Sequence, residues 1–318
     1  MKKTSLLLLI LVLAVGCTAI EDLHTPQLEL EESVVEASAL PLPAVPAQPN
    51  PFSLEALQAR SYGEGEITIV KKWEVLQDFT RYYITYPSDG LTIHGFVNIP
   101  NGQGPFPVVI ALHGYIPASE YTTRDYSTRY ADSIASRGYI VLHPNLRNFP
   151  PSDSVPRTRD YHSGYVIDVL NLLELVRKEA SQTSRESIFQ NADFARIGVW
   201  GHSLGGGVAL RLAGMLPEIK AVVLYAAVTQ RYTNASAGFT VFNLPASQAA
   251  FSLHHGEQDD TVAPSGTRVL YEQLQQMEKQ VEYFSYPEQP HTFYRLGEAD
   301  PLFIRRANDF FDLHLKAQ

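Results

Sequence analysis

The chain has 318 residues, 45% of them hydrophobic and 19% charged, and a formal net charge of −9. Its composition is that of a globular protein rather than a disordered or fibrous one, and its length suits one large α/β domain or two small ones. No basic block offsets the acidic balance, which argues against nucleic acid as a partner, because phosphate binding needs clustered Lys and Arg.

The first elements are a targeting pattern. Lys2 and Lys3 precede the apolar run from Leu6 to Val15, which is too short to span a bilayer comfortably and suits an export signal. The only cysteine, Cys17, follows in "LAVGC". That segment resembles the bacterial lipobox, whose cysteine becomes the lipid-bearing N-terminus. Gly16 fits the pattern, while Ala14 stands where a larger aliphatic is usual, with Leu13 one position off. Residues 1–17 are therefore expected to be a lipoprotein signal with Cys17 as the lipid attachment site, placing the rest of the chain outside the cytoplasm and against a membrane. With Cys17 so used, no cysteine is left for a disulfide, a thiol nucleophile or a zinc–thiolate site. Residues 18–51 carry no Lys or Arg, hold several Glu, and end in five prolines between Pro41 and Pro51. Such a segment reads as a solvated tether that stiffens toward its end. A folded domain is expected over 52–318.

Within that domain, "EITIVKKWEV" and "TRYYITYPS" alternate as strands do, and Ser88-Asp89-Gly90 turns the second into a hairpin with "GLTIHGFVNIP". The rhythm then changes. "PVVIALHGY" and "GYIVLHPNLR" are nearly continuous apolar runs, as for strands buried on both faces of a parallel sheet, with a helix near Asp125 to Ser136 between them. Apolar residues at 166, 167, 169, 170, 173 and 176 have helical spacing, which predicts a helix over 164–178. Strands follow at "ARIGVWG", "KAVVLYAAV", "AFSLHHG" and "VEYFSYPE", and helices at 204–215, 265–277 and 301–315. An antiparallel start followed by strand–helix units predicts an α/β fold: a mostly parallel sheet with helices on both faces. The stretch from Thr229 to Ala250 has weak periodicity and is long enough only for a small cap.

One polar run stands out: Gly201-His202-Ser203-Leu204-Gly205, between a strand and a helix rich in small residues. It lacks the lysine of a phosphate-binding P-loop and the spacing of a dinucleotide fingerprint, but it matches Gly-x-Ser-x-Gly. A strand turning sharply into a helix strains the serine backbone and sets its hydroxyl above free helix amides, and side chains two residues to either side would collide. A serine nucleophile needs a base and an orienting acid at later strand ends. His291 fits the first, in the loop between the last strand and the last helix, and Glu257, Asp259 and Asp260 compete for the second. His254 and His255 are adjacent on a strand and point to opposite faces, so they cannot share a metal ion.

"GHSLGG", "HGEQDDTV", "PHTF" and the closing "FFDLHL" resemble the catalytic domain of prolyl oligopeptidase-type serine peptidases, which have the α/β-hydrolase fold. The family's His-Gly-x-x-Asp-x-x-Val pattern selects Asp259 over Asp260. The resemblance, which covers about residues 65 to 318, implies a Ser203–Asp259–His291 triad working through an acyl-enzyme without metal or organic cofactor. "LHGY" matches the family's oxyanion loop, so the implied donors are the Leu204 amide and either the amide or the hydroxyl of Tyr115. Two departures stand out. The β-propeller that restricts peptidases of this family to small peptides has no counterpart before residue 65. The family's Asp-x-Arg-Gly reads "PNLRNF" here, leaving Arg147 a structural ion pair but removing the glycine. The resemblance implies a serine peptidase acting on short peptides, with a carboxylesterase on small esters as the alternative and a binding-only lipoprotein as the reading outside enzymes.

Overall fold

The structure, a computed structural model, describes residues 52–156, 161–182, 187–229, 241–293 and 297–316. The signal, the lipobox cysteine and the tether read from the sequence lie outside the described residues, as does most of the cap stretch. After a short helix α1 (Leu54–Ala59), capped by the Ser53 side chain, come β1 (Thr68–Val75), β2 (Phe79–Ser88), β3 (Leu91–Pro100), β4 (Phe106–Leu112), α2 (Thr128–Ala135) and β5 (Ile140–Pro144). Then follow α3 (Tyr161–Ser181), β6 (Ala192–His202), α4 (Leu204–Met215), β7 (Ile219–Tyr225), β8 (Ala250–Gly256), α5 (Pro264–Gln276), β9 (Val281–Tyr286) and α6 (Ala299–Leu315). A 3₁₀ turn at Val241–Ala246 is the described part of the cap stretch.

The strands form one mixed sheet in the order β1-β2-β3-β5-β4-β6-β7-β8-β9. β1, β2, β3 and β5 pair antiparallel in sequence, and the predicted hairpin closes with Ser88 opposite Leu91. From β5 to β9 every pairing is parallel. The period-2 alternation of strand side chains divides the core in two. Val108, Ile110, Leu112, Val199 and Leu224 join a cluster with residues of α3, α4 and α5 on one face. Val109, Ala111, Trp200 and Tyr225 join α2 and α6 on the other, where Tyr130 stacks on Trp200 at 4.9 Å and Phe303 packs on Tyr225 at 4.6 Å. β1 is the outer strand, mostly exposed, with two register shifts against β2 and Ile69, Val70 and Val75 open to solvent.

Several element bounds differ from the periodicity reading, those of α2 and α3 among them. α2 starts at Thr128 rather than near Asp125, because the Asp125 carboxylate accepts from the Ser127 amide at 2.6 Å and from its hydroxyl, closing a turn before the helix. α3 extends by a few residues at each end.

The loop after β5 is built around Arg147. Leu146 and Asn148 on either side of it both have positive φ, 61° and 68°. Asn148 holds the position of the family's glycine; asparagine tolerates this left-handed conformation better than most residues. The Arg147 amide and guanidinium donate to the fully buried carboxylate of Asp168 in α3, the shortest contact being 2.7 Å from Nη2 to Oδ1, and Ser88 Oγ donates to the same oxygen at 2.7 Å. Deleting one partner of a buried ion pair strands the other charge, which costs about 3–5 kcal/mol. Asp168→Asn is accordingly expected to lower the unfolding free energy in urea by about 3 kcal/mol or more. Glu257→Gln, which breaks the exposed Glu257–Arg268 pair, should change it by under about 1 kcal/mol.

Candidate active site

All the residues singled out in the folded part sit at the carboxyl ends of parallel strands, where open α/β sheets form their clefts. Ser203 lies between the last residue of β6 and the first of α4, at φ 52° and ψ −115°. A non-glycine residue held there costs on the order of 1–3 kcal/mol and persists only where its surroundings over-determine it. They do: its amide donates to the Tyr225 carbonyl at 2.9 Å, and its own carbonyl accepts from Gly207 and Val228 at 3.2 and 3.0 Å. The flanking glycines are required by space. A Cβ on Gly205 would lie 2.3 Å from the Leu112 carbonyl oxygen, and one on Gly201 would lie 2.5 Å from the carbonyl oxygen of Gly205. The Ser203 hydroxyl makes no capping bond to α4.

Asp259, in the turn after β8, is buried and accepts four hydrogen bonds. Oδ1 takes the amides of Thr261 and Val262 at 2.9 and 2.8 Å, and Oδ2 takes His291 Nδ1 at 2.7 Å and His255 Nε2 at 2.9 Å. Burial alone pushes this carboxyl up, but the bonds from His255, His291 and the Val262 amide outweigh it and hold the group well below the usual carboxylate range. Asp260, its neighbour, is exposed and bonds only to the Thr261 hydroxyl, at 3.3 Å.

His291, after β9, keeps part of its ring open to solvent. Its ring lies 4.8 Å from that of His202, whose Nε2 meets the His291 carbonyl at 3.1 Å. Asp259 and His291 are thus bonded directly, while Ser203 joins them through its neighbour His202. No hydrogen bond connects the Ser203 hydroxyl to His291 among the described residues.

Opposite Ser203 stands the turn after β4. A Cβ on Gly114 would lie 3.2 Å from Ser203 Cβ, so this loop passes directly against the serine. His113 anchors it, its ring nitrogens lying 2.7 and 2.8 Å from the carbonyls of Gly114 and Asn145. The Gly114 amide is committed to the Tyr126 hydroxyl at 2.8 Å. Tyr115 comes next, 51% exposed, with its ring centroid 6.1 Å from that of Phe149 in an edge-on arrangement. Leu204 opens α4, so its amide is one of the first-turn donors that a helix leaves unpaired.

His254 and His255 diverge, His254 into a ring cluster with Phe284 and Phe303, and His255 onto Asp259 and the Thr267 hydroxyl. Sequence reading weighed His255 as a metal ligand and did not single out Tyr126. The i, i+4 spacing of His255 and Asp259 was the available signal for the first; Tyr126, eleven residues past "LHGY" and in no motif, carried none. A hydroxyl at a strained elbow, an imidazole tied to a buried carboxylate and helix-terminal amides are the parts that nucleophilic acyl transfer uses.

The dienelactone hydrolase family model matches residues 93–309. An esterase from Thermotoga maritima is 27% identical over 141 residues, 42% of this chain and 29% of that protein. The chain spans about a third of the length of the first curated relatives it matches. An acetyl xylan esterase from Paenibacillus sp. R4 superposes with a TM-score of 0.63 at 21% identity, over 82% of this chain and 92% of that one. An acylaminoacyl peptidase from Pyrococcus horikoshii superposes with a TM-score of 0.58 at 17% identity, over 76% of this chain and 43% of that one. At such identities the superpositions speak for the α/β-hydrolase fold alone. The family match takes in every strand end just described: the chain belongs to the dienelactone hydrolase family.

Proposed function

We propose that the chain is a carboxylesterase that cleaves small acyl esters, with Ser203 as nucleophile, His291 as general base and acid, and Asp259 as the group that orients His291. The observation that carries this reading is the 2.7 Å Asp259–His291 bond set beside the strained Ser203 elbow. Ser203 Oγ attacks the ester carbonyl carbon while His291 Nε2 takes its proton. Asp259 accepts from Nδ1, which leaves Nε2 as the basic nitrogen and stabilises the imidazolium. The oxyanion receives hydrogen bonds from the Leu204 amide and from Tyr115, through its amide or its hydroxyl, each worth about 3–4 kcal/mol where such donors have been removed. The imidazolium protonates the leaving alkoxide, and water then releases the acid from the acyl-enzyme by the reverse sequence.

Esters are favoured over peptides on two grounds. The family is named for a lactone, a cyclic ester, and the curated relative from Thermotoga maritima is named an esterase. The motif resemblance is what supports peptide cleavage. p-Nitrophenyl acyl esters assayed beside Gly-Pro- and Ala-p-nitroanilides separate the two, with turnover expected on the esters; turnover confined to the anilides would reverse the assignment. Ser203→Ala should fold normally and lose both ester turnover and fluorophosphonate labelling, and labelling that survives would move the nucleophile elsewhere.

The charge on Asp259 gives a second expectation. A carboxylate whose folded pKa is depressed contributes its full stability above the unfolded value, about 3.9, and loses it only as pH falls through the lower folded value. Asp259→Asn should therefore unfold in less urea than wild type at pH 7, by an amount that is constant down to about pH 5 and shrinks on further acidification. Its turnover should fall by on the order of four decades, whereas Asp260→Asn changes neither quantity appreciably. Equal losses in the two variants would show that the acid is misassigned.

We also propose that Cys17 carries a lipid and anchors the enzyme to the outer side of the cell membrane, on the lipobox and tether pattern. Cys17→Ser should move the protein from the detergent phase to the aqueous phase or block its maturation, with ester turnover retained. A wild-type protein that partitions to the aqueous phase and shows no lipid by mass spectrometry would sink the anchor.

A further inference from the structure

We propose that Tyr126 and His202 are positioning residues that lock the oxyanion loop, the serine elbow and the His291 loop into one geometry through a hydrogen-bond chain of fixed direction. The inference rests on the roles assigned above to Ser203 and His291.

The chain has four members from four parts of the sequence. The Gly114 amide meets the Tyr126 hydroxyl at 2.8 Å, that hydroxyl meets His202 Nδ1, and His202 Nε2 meets the His291 carbonyl at 3.1 Å. Its direction follows from donor chemistry. A carbonyl oxygen only accepts, so His202 Nε2 carries the hydrogen. Burial, reinforced by the neighbouring His291, pushes the His202 imidazole down to about 3, so the ring is neutral and has a single N–H. Nδ1 must then accept, and the Tyr126 O–H donates to it. The phenol oxygen keeps its lone pair for the Gly114 N–H, an amide that only donates. Reversing the chain would set the lone pair of His202 Nε2 against the His291 carbonyl oxygen, acceptor against acceptor.

What the chain joins gives it a catalytic consequence. Gly114 precedes Tyr115, and it approaches so closely that a Cβ there would lie 2.7 Å from the Tyr126 hydroxyl and 2.9 Å from His202 Nδ1. The loop that offers an oxyanion donor therefore takes its distance from Ser203 from the Tyr126 hydroxyl. At the other end, Asp259 orients the His291 ring while His202 holds the His291 main chain, so the base is fixed by two independent bonds. The rings are also packed, Tyr126 edge-on to His202 at 5.2 Å. Neither side chain is assigned contact with the reacting atoms. Their effect is on transition-state geometry, where small displacements of a donor carry large rate penalties.

Tyr126→Phe tests this, because it keeps the ring and removes only the hydroxyl. With p-nitrophenyl acetate, kcat is expected to fall about tenfold to a hundredfold with KM within about twofold. Inhibition by phenylboronic acid, which forms a tetrahedral adduct on the serine, should weaken by the same factor as kcat/KM. His202→Leu should lose at least as much, and Tyr126→Phe/His202→Leu no more than His202→Leu alone, since the chain is already broken. His202→Gln, which retains one donor and one acceptor, should recover part of the loss, and it carries the test should Tyr126→Phe fold poorly. Unchanged kcat in Tyr126→Phe, a loss confined to KM, independent losses that multiply in the double variant, or a His202→Gln no better than His202→Leu would each overturn the proposal. Fluorophosphonate labelling of the wild type at Ser203 separates this failure from that of the underlying reading: labelled wild type with an indifferent Tyr126→Phe removes only the positioning chain, whereas no labelling removes the nucleophile itself.

Discussion

β6 must become α4 within a single residue, and the carboxyl edge of the sheet is arranged around that constraint. The turn forces Ser203 to φ 52° and brings the backbone of Gly205 against the Leu112 carbonyl at the end of β4, a neighbouring strand. No side chain larger than hydrogen fits at the contact. The serine elbow and the start of the β4 loop are therefore one packed unit: main-chain contact brings the loop up to Ser203, and the Tyr126 hydroxyl then holds Gly114 in place. The strain is held by three backbone hydrogen bonds to Ser203, one of them to Tyr225 on β7, so the adjacent parallel strand is part of the support.

The acid side of the site is supported differently. Asp259 is fixed by its own turn, through the Thr261 and Val262 amides, before His291 arrives. His255 adds a bond from the end of β8, sharing its Nε2 between Asp259 and the Val262 carbonyl, so the orientation of the carboxylate is settled within residues 255–262. His291 then needs only to reach Oδ2. A short-range turn sets the acid, and a long-range sheet contact sets the serine.

Much of this was legible in the sequence because the determinants are local. The continuous apolar runs at β4 and β5 and the exact span of α4 follow from patterns within a dozen residues, and the glycines around Ser203 declare the turn they serve. Asp259 could be chosen over Asp260 only through the register of a motif, since both are acidic residues in the same turn; burial and four hydrogen bonds are what distinguish them. The late start of α2 was hidden because a side-chain turn by Asp125 competes with helix without disturbing its periodicity. The connection from Gly114 through Tyr126 and His202 to His291 was out of reach, because it joins residues up to 177 positions apart whose only common feature is their place at one sheet edge.

The sheet also has an open side at β1, far in strand order from these loops. Ile69, Val70 and Val75 are exposed there on a strand whose outer side pairs with no other strand among the described residues, a template for an incoming strand from another molecule. The two register shifts against β2 break the regular spacing of that template, and Lys71 and Lys72 put two like charges at its centre. An approaching copy would have to match an irregular ladder and set lysine against lysine. Irregular register and like charge thus guard this edge, so that β1 can end the sheet without recruiting a further strand.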